Sequence, residues 1–181
     1  MRFGGIVLAA ALLLGACTDD PAPKEPTGTA SATASRPAPT ATLPAMPDQA
    51  KENSPEGAAA FLAYWVETLN YASATGDVGE LSRISSPDCS GCARYIALYR
   101  DTYLEGGYFV DADWAVDEVR LQGTRSETFG TFVAATEPTT YVPKAGAKES
   151  VGSGEDSKVS VAMRYVEGRW RVTQLGLGDV E

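Results

Sequence analysis

The stretch from Ser54 to Ala74 constrains the fold most, because its apolar residues recur at the spacing of one helix face. Ser54 can cap the first turn, Pro55 suits the first helical position, and Gly76 can take the left-handed conformation that ends a helix. The sequence therefore predicts a helix of about five turns that needs a partner surface. Its apolar stripe consists of Ala58, Phe61, Leu62, Trp65, Val66, Leu69 and Ala72.

The residues up to Cys17 have the pattern of an export signal. Arg2 supplies a positive charge, and residues 6–14 form an apolar run that is too short to span a membrane. The segment Leu14-Gly15-Ala16-Cys17 that follows resembles the lipobox of bacterial lipoproteins, in which the cysteine is acylated and becomes the new N-terminus. We expect residues 1–16 to be a lipoprotein signal peptide, and Cys17 to carry palmitate-like chains that anchor the protein at the extracytoplasmic face of the cell membrane. An ordinary secretory signal with a chance cysteine is the alternative.

Residues 17–53 have the composition of a tether. Pro, Ala, Thr and Ser dominate, no aromatic residue occurs, and the apolar side chains Leu43 and Met46 are isolated. Such a segment cannot bury enough surface to order itself, and as a flexible coil it would span about 33 Å. We expect a disordered linker after the lipidated cysteine, although Thr-rich and Pro-rich tracts are also sites of O-glycosylation.

Residues 54–181 are long enough for one domain with one core. Without residues 1–16 the chain has 14 basic and 24 acidic residues, a net charge of −10. This balance argues against nucleic acid as a partner and suits a domain that stays soluble beside a membrane. The sequence has no histidine, which removes the commonest general base and the imidazole metal ligands, so no metal site or cofactor is expected.

Two further helices are predicted between the long helix and the second half of the chain. The first runs from Asp77, its expected cap, to Ile84, and the second from Asp88 to Glu105. Cys89 and Cys92 lie in the first turn of the second of these helices. In an oxidising compartment they form an even pair, so a local disulfide is the economical interpretation. A redox site and a zinc site are the alternatives, but the first needs a preceding strand and the second needs more ligands.

The second half of the chain alternates at strand period. Strands are predicted over 108–121, with a bulge near Asp117, and over 128–136 and 158–166, with residues 143–157 as a long exposed loop. A two-residue turn at Glu167-Gly168 pairs Tyr165 with Trp170 and Met163 with Val172, which places their apolar side chains on one face. A second phase slip is predicted near Gln174, ahead of Leu175 and Leu177.

These elements predict an α+β domain in which three N-terminal helices pack on a bent antiparallel sheet of about four strands. Their order resembles the nuclear transport factor two-like superfamily, a cone-shaped fold shared with SnoaL-like cyclases and ketosteroid isomerases. More narrowly, four segments resemble an actinobacterial lipoprotein family of unknown function with this fold. They are residues 52–57, Leu69-Asn70-Tyr71, Thr75-Gly76-Asp77 and residues 85–92.

No motif in the domain identifies a reaction. We expect a non-enzymatic binding or accessory module at the cell envelope, whose partner is an apolar small ligand or an envelope protein, although a plain spacer remains open. The alternative is an isomerase-like or cyclase-like enzyme that uses one pocket aspartate, from Asp111, Asp113 or Asp117, with tyrosine hydroxyls. If the cone is open, its expected lining is Trp65, Tyr95, Tyr99, Trp114, Met163 and Trp170.

Overall fold

The computed structural model describes residues 41–124 and 126–179. The predicted signal peptide, Cys17 and the tether as far as residue 40 lie outside this range. Within it, no helix combines the length and the apolar character needed to cross a membrane. A 3-10 turn at Gln49–Lys51 comes first, followed by α1 (Pro55–Thr75), α2 (Gly79–Ile84) and α3 (Ser90–Leu104). The strands are β1 (Tyr108–Val110), β2 (Trp114–Gly123), β3 (Glu127–Thr136), β4 (Thr140–Val142), β5 (Ser150–Val151), β6 (Glu155–Val166) and β7 (Arg169–Asp179).

Helix α1 forms as the sequence predicts. The Ser54 hydroxyl accepts a hydrogen bond from Gly57 N at 3.0 Å, and Gly76 ends the helix with a φ of 77°. All seven side chains of the predicted stripe are buried. The capping signals and the apolar period therefore define this helix together.

The two shorter helices begin two residues later than predicted. Asp77 lies ahead of α2, where its carboxylate accepts a hydrogen bond from Gly79 N. Cys89 caps α3, because its sulfur accepts a hydrogen bond from Cys92 N at 3.2 Å. The prediction of Asp77 as the cap of α2 is wrong, because Val78 holds the N-cap position. Asp77 and Cys89 nevertheless each accept a hydrogen bond from a first-turn amide that has no carbonyl partner within its helix.

The strands form a four-stranded antiparallel sheet in the order β2-β3-β6-β7 and a smaller sheet in the order β1-β4-β5. The predicted α+β class, with helices on a sheet of four strands, is confirmed. The single strand predicted over 108–121 is wrong, because the chain turns at Asp111, whose φ is 56°, and β1 and β2 join different sheets. The exposed loop predicted over 143–157 is also wrong in part, since it contains β5 and the start of β6.

Both predicted irregularities in the main sheet are confirmed. The register of β2 against β3 shifts between Asp117 and Arg120. In the last hairpin Tyr165 pairs with Trp170, as predicted. Further along, Met163 pairs with Val172 but Ala162 pairs with Gln174, so Thr173 has no partner in the register. One extra residue in β7 therefore bends the strand beside α3.

The core lies between the stripe of α1 and the inner face of the main sheet. The sheet supplies Phe132, Ala134, Val159, Val161, Met163, Trp170 and Val172, all of which are buried. Packing begins before Ser54, the predicted start of the domain. Ala50 is 1% exposed, the Tyr165 hydroxyl donates to Lys51 O at 3.0 Å, and Trp170 Nε1 donates to Glu52 O at 2.8 Å. These contacts order the end of the predicted tether against the last hairpin.

Candidate functional site

The interior of the cone is occupied by the domain's own side chains at the predicted pocket positions. Trp65 is fully buried, and its Nε1 donates to Ser85 Oγ at 3.0 Å. Met163 and Trp170 are 0% and 2% exposed. These three residues therefore form core and present almost no surface to solvent.

The other three predicted residues belong to a continuous row of aromatic rings. Tyr95 meets Trp114 edge to face, with ring centroids 5.4 Å apart, and lies 6.0 Å from Tyr99. Tyr99 meets Phe109 in the same way at 5.4 Å, and Phe109 stacks on Tyr141 at 4.8 Å. The row joins α3 to both sheets through favourable ring geometries. Of the six predicted pocket residues, Tyr95 is the one that also lines a groove described below.

Among the Asp and Glu residues whose side chains the structure describes, which leaves out positions 118 and 179, none is buried. Asp113 comes nearest to the arrangement of an aspartate with tyrosine hydroxyls that an isomerase-like enzyme would need, because its charge influences the ionisation of Tyr99. Partial desolvation raises the pKa of Asp113, the neighbouring Asp111 raises it further, and the Ser73 hydroxyl opposes the rise. Burial raises the pKa of Tyr99 far above its ordinary value, so its hydroxyl stays protonated. An exposed carboxylate beside a neutral hydroxyl is a weak basis for proton transfer.

Cys89 and Cys92 are joined by a disulfide, with 5.2 Å between their Cα atoms. Both residues are 1% exposed, which shields the sulfurs from thiols in solution. In the part of the chain that the structure describes, no group of three or more Cys, Asp or Glu side chains is arranged to hold a metal ion. The geometry fits a structural bridge that fixes the start of α3.

The candidate binding site is a groove of about 390 Å³ where α3 crosses the end of β7. Gly91 permits this crossing, because a Cβ atom there would lie 2.1 Å from Leu175 O. We call this feature the α3–β7 groove. It is lined by Gly91, Arg94, Tyr95, Leu98, Leu175, Gly176 and Leu177.

The lining of the α3–β7 groove is mainly apolar and open to solvent. Leu98 is 40% exposed and Leu177 is 52% exposed, while Tyr95 and Leu175 are half-buried. Arg94 is among the lining residues, is exposed, and makes no ion pair with any described residue. The groove therefore offers large apolar side chains next to a single cation.

Sequence reasoning did not find this site. Leu98 was not among the residues that the sequence analysis singled out. Leu175 and Leu177 were recognised only as strand residues after a phase slip. The three leucines come together only because α3 crosses β7. The one local sign of that contact in the sequence was the small residue Gly91.

The chain belongs to DUF6318, a family of unknown function, whose model matches residues 29–176. No curated protein compared with the chain matches it. The family thus carries no assigned activity that could be transferred to the groove or to the aromatic row.

Several solved structures are similar to this chain at low identity. The intermembrane space region of chloroplast protein ARC6 is 8% identical with a TM-score of 0.48, and the match covers 67% of this chain and 93% of that one. A putative dehydratase of the NTF2-like family from Streptomyces avermitilis is 13% identical with a TM-score of 0.44, covering 70% and 99%. An NTF2-like protein with a cystatin-like fold from Novosphingobium aromaticivorans is 11% identical with a TM-score of 0.42, covering 64% and 77%. These similarities concern the fold alone and do not assign an activity to this chain.

Proposed function

We propose that this protein is a lipid-anchored, non-enzymatic binding module of the cell envelope, and that its α3–β7 groove receives a segment of an envelope protein. The observation that carries the proposal is the contrast between a cone interior filled by Trp65, Met163 and Trp170 and an external groove with exposed leucines. Because side chains of the protein occupy these interior positions, we expect a partner to bind at the surface. Clusters of exposed apolar side chains are typical of such interaction sites.

The lining of the groove indicates the chemistry of the partner. Leu98 and Leu177 suit one or two apolar side chains, and Arg94 suits a carboxylate beside them. Leu98 and Leu177 are largely exposed to solvent, which favours a protein segment over a small ligand that needs to be enclosed. An apolar small molecule held by the same side chains remains an outcome that the experiment distinguishes.

The membrane anchor is part of this proposal. Lipidation at Cys17 and a tether of Pro, Ala and Thr residues would hold the domain near the extracytoplasmic face of the membrane. A module with this arrangement meets envelope partners by diffusion within the reach of its tether, which raises their effective concentration.

The enzymatic alternative, with a pocket aspartate and tyrosine hydroxyls, lacks its main requirement among the described residues. It needs a carboxylate enclosed in the cone, and Asp113 is exposed. Trp65 and Met163 are themselves fully buried, so neither presents a surface that a substrate could reach from solvent.

Site-specific photo-crosslinking in the host tests the proposal. A photoreactive amino acid replaces Leu98 or Leu177 in the full chain, and position 119 serves as the matched control because Val119 is 47% exposed on β2, away from the groove. We expect one discrete protein adduct from positions 98 and 177 and none from 119. Arg94→Glu should abolish that adduct at unchanged protein level, since it reverses the charge in the lining of the groove.

Three results would overturn the proposed partner. Equal adducts from positions 98 and 119 would show random contact. A small-molecule adduct at position 98 would replace the protein partner by a ligand. The absence of adducts from both groove positions, with the chain present at its normal level, would refute binding at this groove.

A further inference from the structure

The outer face of the main sheet carries a second concavity, on the side away from α1. Two adjoining hollows of about 670 and 400 Å³ share Asp88, Phe129, Ala162, Thr173 and Gln174, so they form one elongated trough. It lies over β3, β6 and β7 and ends beside the start of α3. We call it the outer-sheet trough.

The strand register arranges the floor of the trough in three rows. In each row a residue of β3 faces one of β6, which faces one of β7. Alternate residues of a strand are about 6.8 Å apart, so the first and third rows are about 14 Å apart. The rows are Glu127-Arg164-Arg171, Phe129-Ala162-Gln174 and Thr131-Ser160-Gly176.

The middle row makes the concavity. Ala162 is small and 5% exposed, whereas Phe129 beside it is 47% exposed and Gln174 on its other side is also exposed. The small side chain of Ala162 forms the floor of a channel. The Phe129 ring forms one wall of this channel and the Gln174 amide forms the other. Phe129 is therefore an exposed aromatic ring in the lining of the trough, near the exposed apolar side chain of Val166 at one end.

The trough is rich in groups that both donate and accept hydrogen bonds. Hydroxyls of Ser86, Ser90, Thr131, Ser160 and Thr173 line it, together with the Gln174 amide. The Thr173 hydroxyl donates to Ala162 O, which leaves its oxygen free to accept. Such a lining matches a ligand that carries many hydroxyls of its own.

The charges of the trough balance. Arg164 pairs with Glu127 at 2.9 Å, and the remaining ions are one cation, Arg171, and one carboxylate, Asp88, neither of which forms an ion pair with a described residue. A polyanion would find no net positive field here, and a polycation no net negative one. The electrostatics therefore favour an uncharged polar ligand.

We propose that the outer-sheet trough binds a neutral glycan chain. A sugar ring has an apolar face of C–H groups that fits the Phe129 ring and a rim of hydroxyls that fits the hydroxyl and amide side chains. The 14 Å length of the trough suits several linked sugar units better than one small molecule. The proposal relies on the proposed envelope location for access to glycans, but the trough shares only Leu175 and Gly176 with the α3–β7 groove.

Hydrogen-exchange mass spectrometry on the full chain, purified from its host in detergent, tests this assignment. The probe is the neutral polysaccharide fraction released from the host's protein-free envelope, and the acidic polysaccharide fraction is the second probe. We expect the neutral fraction to slow exchange in β3, β6 and β7 around the three rows. Phe129→Ala should weaken the binding about tenfold or more, as loss of a central aromatic contact does. Val119→Ala, which removes an equally exposed apolar side chain elsewhere, should leave it unchanged.

The possible results separate this inference from the function proposed above. The Leu98→Glu variant should still bind the glycan but should lose the crosslinked protein adduct at the α3–β7 groove. The two proposed sites can therefore be confirmed or refuted independently. No protection by the neutral fraction, or protection that survives Phe129→Ala, would overturn the assignment. Protection by the acidic fraction alone would show a polyanion site instead. Concentration-dependent protection of these strands without any glycan would assign the trough to a second copy of the chain.

Discussion

The side chain of Asn70 on α1 hydrogen-bonds both main-chain polar groups of Trp114 at the start of β2. Asn70 Oδ1 accepts from Trp114 N at 2.9 Å, and Asn70 Nδ2 donates to Trp114 O at 3.1 Å. The pair joins positions 44 residues apart in the sequence. It fixes the edge strand of the main sheet at the point where the chain has just left the small sheet.

Replacing Asn70 should therefore loosen the contact between helix and sheet. We expect Asn70→Ala to lower the free energy of unfolding by about 2 kcal/mol, because two hydrogen bonds are lost and two main-chain groups lose their partner. Urea denaturation measures the change. Asn53→Ala, at an exposed position, is the control and should stay within about 0.5 kcal/mol of the wild type. Equal effects of the two substitutions would contradict the role given to Asn70.

Local signals made the helices and the last hairpin predictable. Helix α1 has a cap, a proline and a stop glycine in register with its stripe, and the Glu167-Gly168 turn sets the pairing of Tyr165 with Trp170. By contrast, β4 has three residues and β5 has two. Strands this short do not show a recognisable alternation of apolar and polar residues. The small sheet was missed for that reason.

Long-range relationships account for the remaining differences. Asn70 resembled a solvated helix residue, because its partner is 44 residues away. The rows of the outer-sheet trough depend on β3 lying beside β6, and the sequence does not specify the order of strands in a sheet. The spacing of the predicted pocket residues does not separate a pocket from a core, because aromatic side chains at helical spacing also make a good core, as the buried Trp65 shows.

The close crossing of α3 and β7 leads to a prediction about Gly91. An added Cβ would lie 2.1 Å from Leu175 O, so Gly91→Ala should separate the helix from the strand and destabilise the domain by about 2 kcal/mol. Helix propensity alone would give a stabilisation of about 1 kcal/mol, so the sign of the change is informative. Thermal unfolding measures it, with Gly152→Ala as the control, since a Cβ there meets nothing closer than 3.8 Å. A stabilised Gly91→Ala would refute the tight crossing.

The disulfide at the start of α3 should contribute modestly to stability. Closing the short loop from Cys89 to Cys92 is worth about 2 kcal/mol in the chain-entropy model. We expect a reductant to lower the urea midpoint of the wild type toward that of a Cys89→Ser/Cys92→Ser double variant, which should itself not respond to reductant. Two titratable thiols in protein taken directly from the envelope would show that the bridge does not form there.

Glu80 should make stability depend on pH in the acid range. Its carboxylate accepts hydrogen bonds from Arg83 Nε at 2.7 Å and from the Tyr64 hydroxyl at 2.6 Å, and the contact with Arg83 is the main cause of its lowered pKa. A pKa that is lower in the folded state stabilises the protein fully above the ordinary value of 4.5, and this contribution disappears as the pH falls through the lowered value.

Glu80→Gln should accordingly cost about 1 kcal/mol at pH 7, a modest value because the Arg83 side chain is half exposed. Below pH 4.5 the difference from the wild type should shrink toward zero. Urea titrations at a series of pH values measure this, and Glu149→Gln in an exposed segment is the control. A difference that does not vary with pH would show that the charge of Glu80 contributes nothing.

The last prediction concerns the proposed lipid anchor at Cys17. Its place after Leu14-Gly15-Ala16 resembles a lipobox, and two or three acyl chains would hold the protein durably where a single chain would not. A fatty-acid label fed to the host should therefore mark the protein, and Cys17→Ala should abolish the label and release the chain from the membrane fraction. Cys89→Ser/Cys92→Ser should keep the label, because neither residue lies at a cleavage site. If Cys17→Ala stays in the membrane fraction without label, another feature of the chain retains it, and the tethered arrangement proposed for the groove and its partner has to be abandoned.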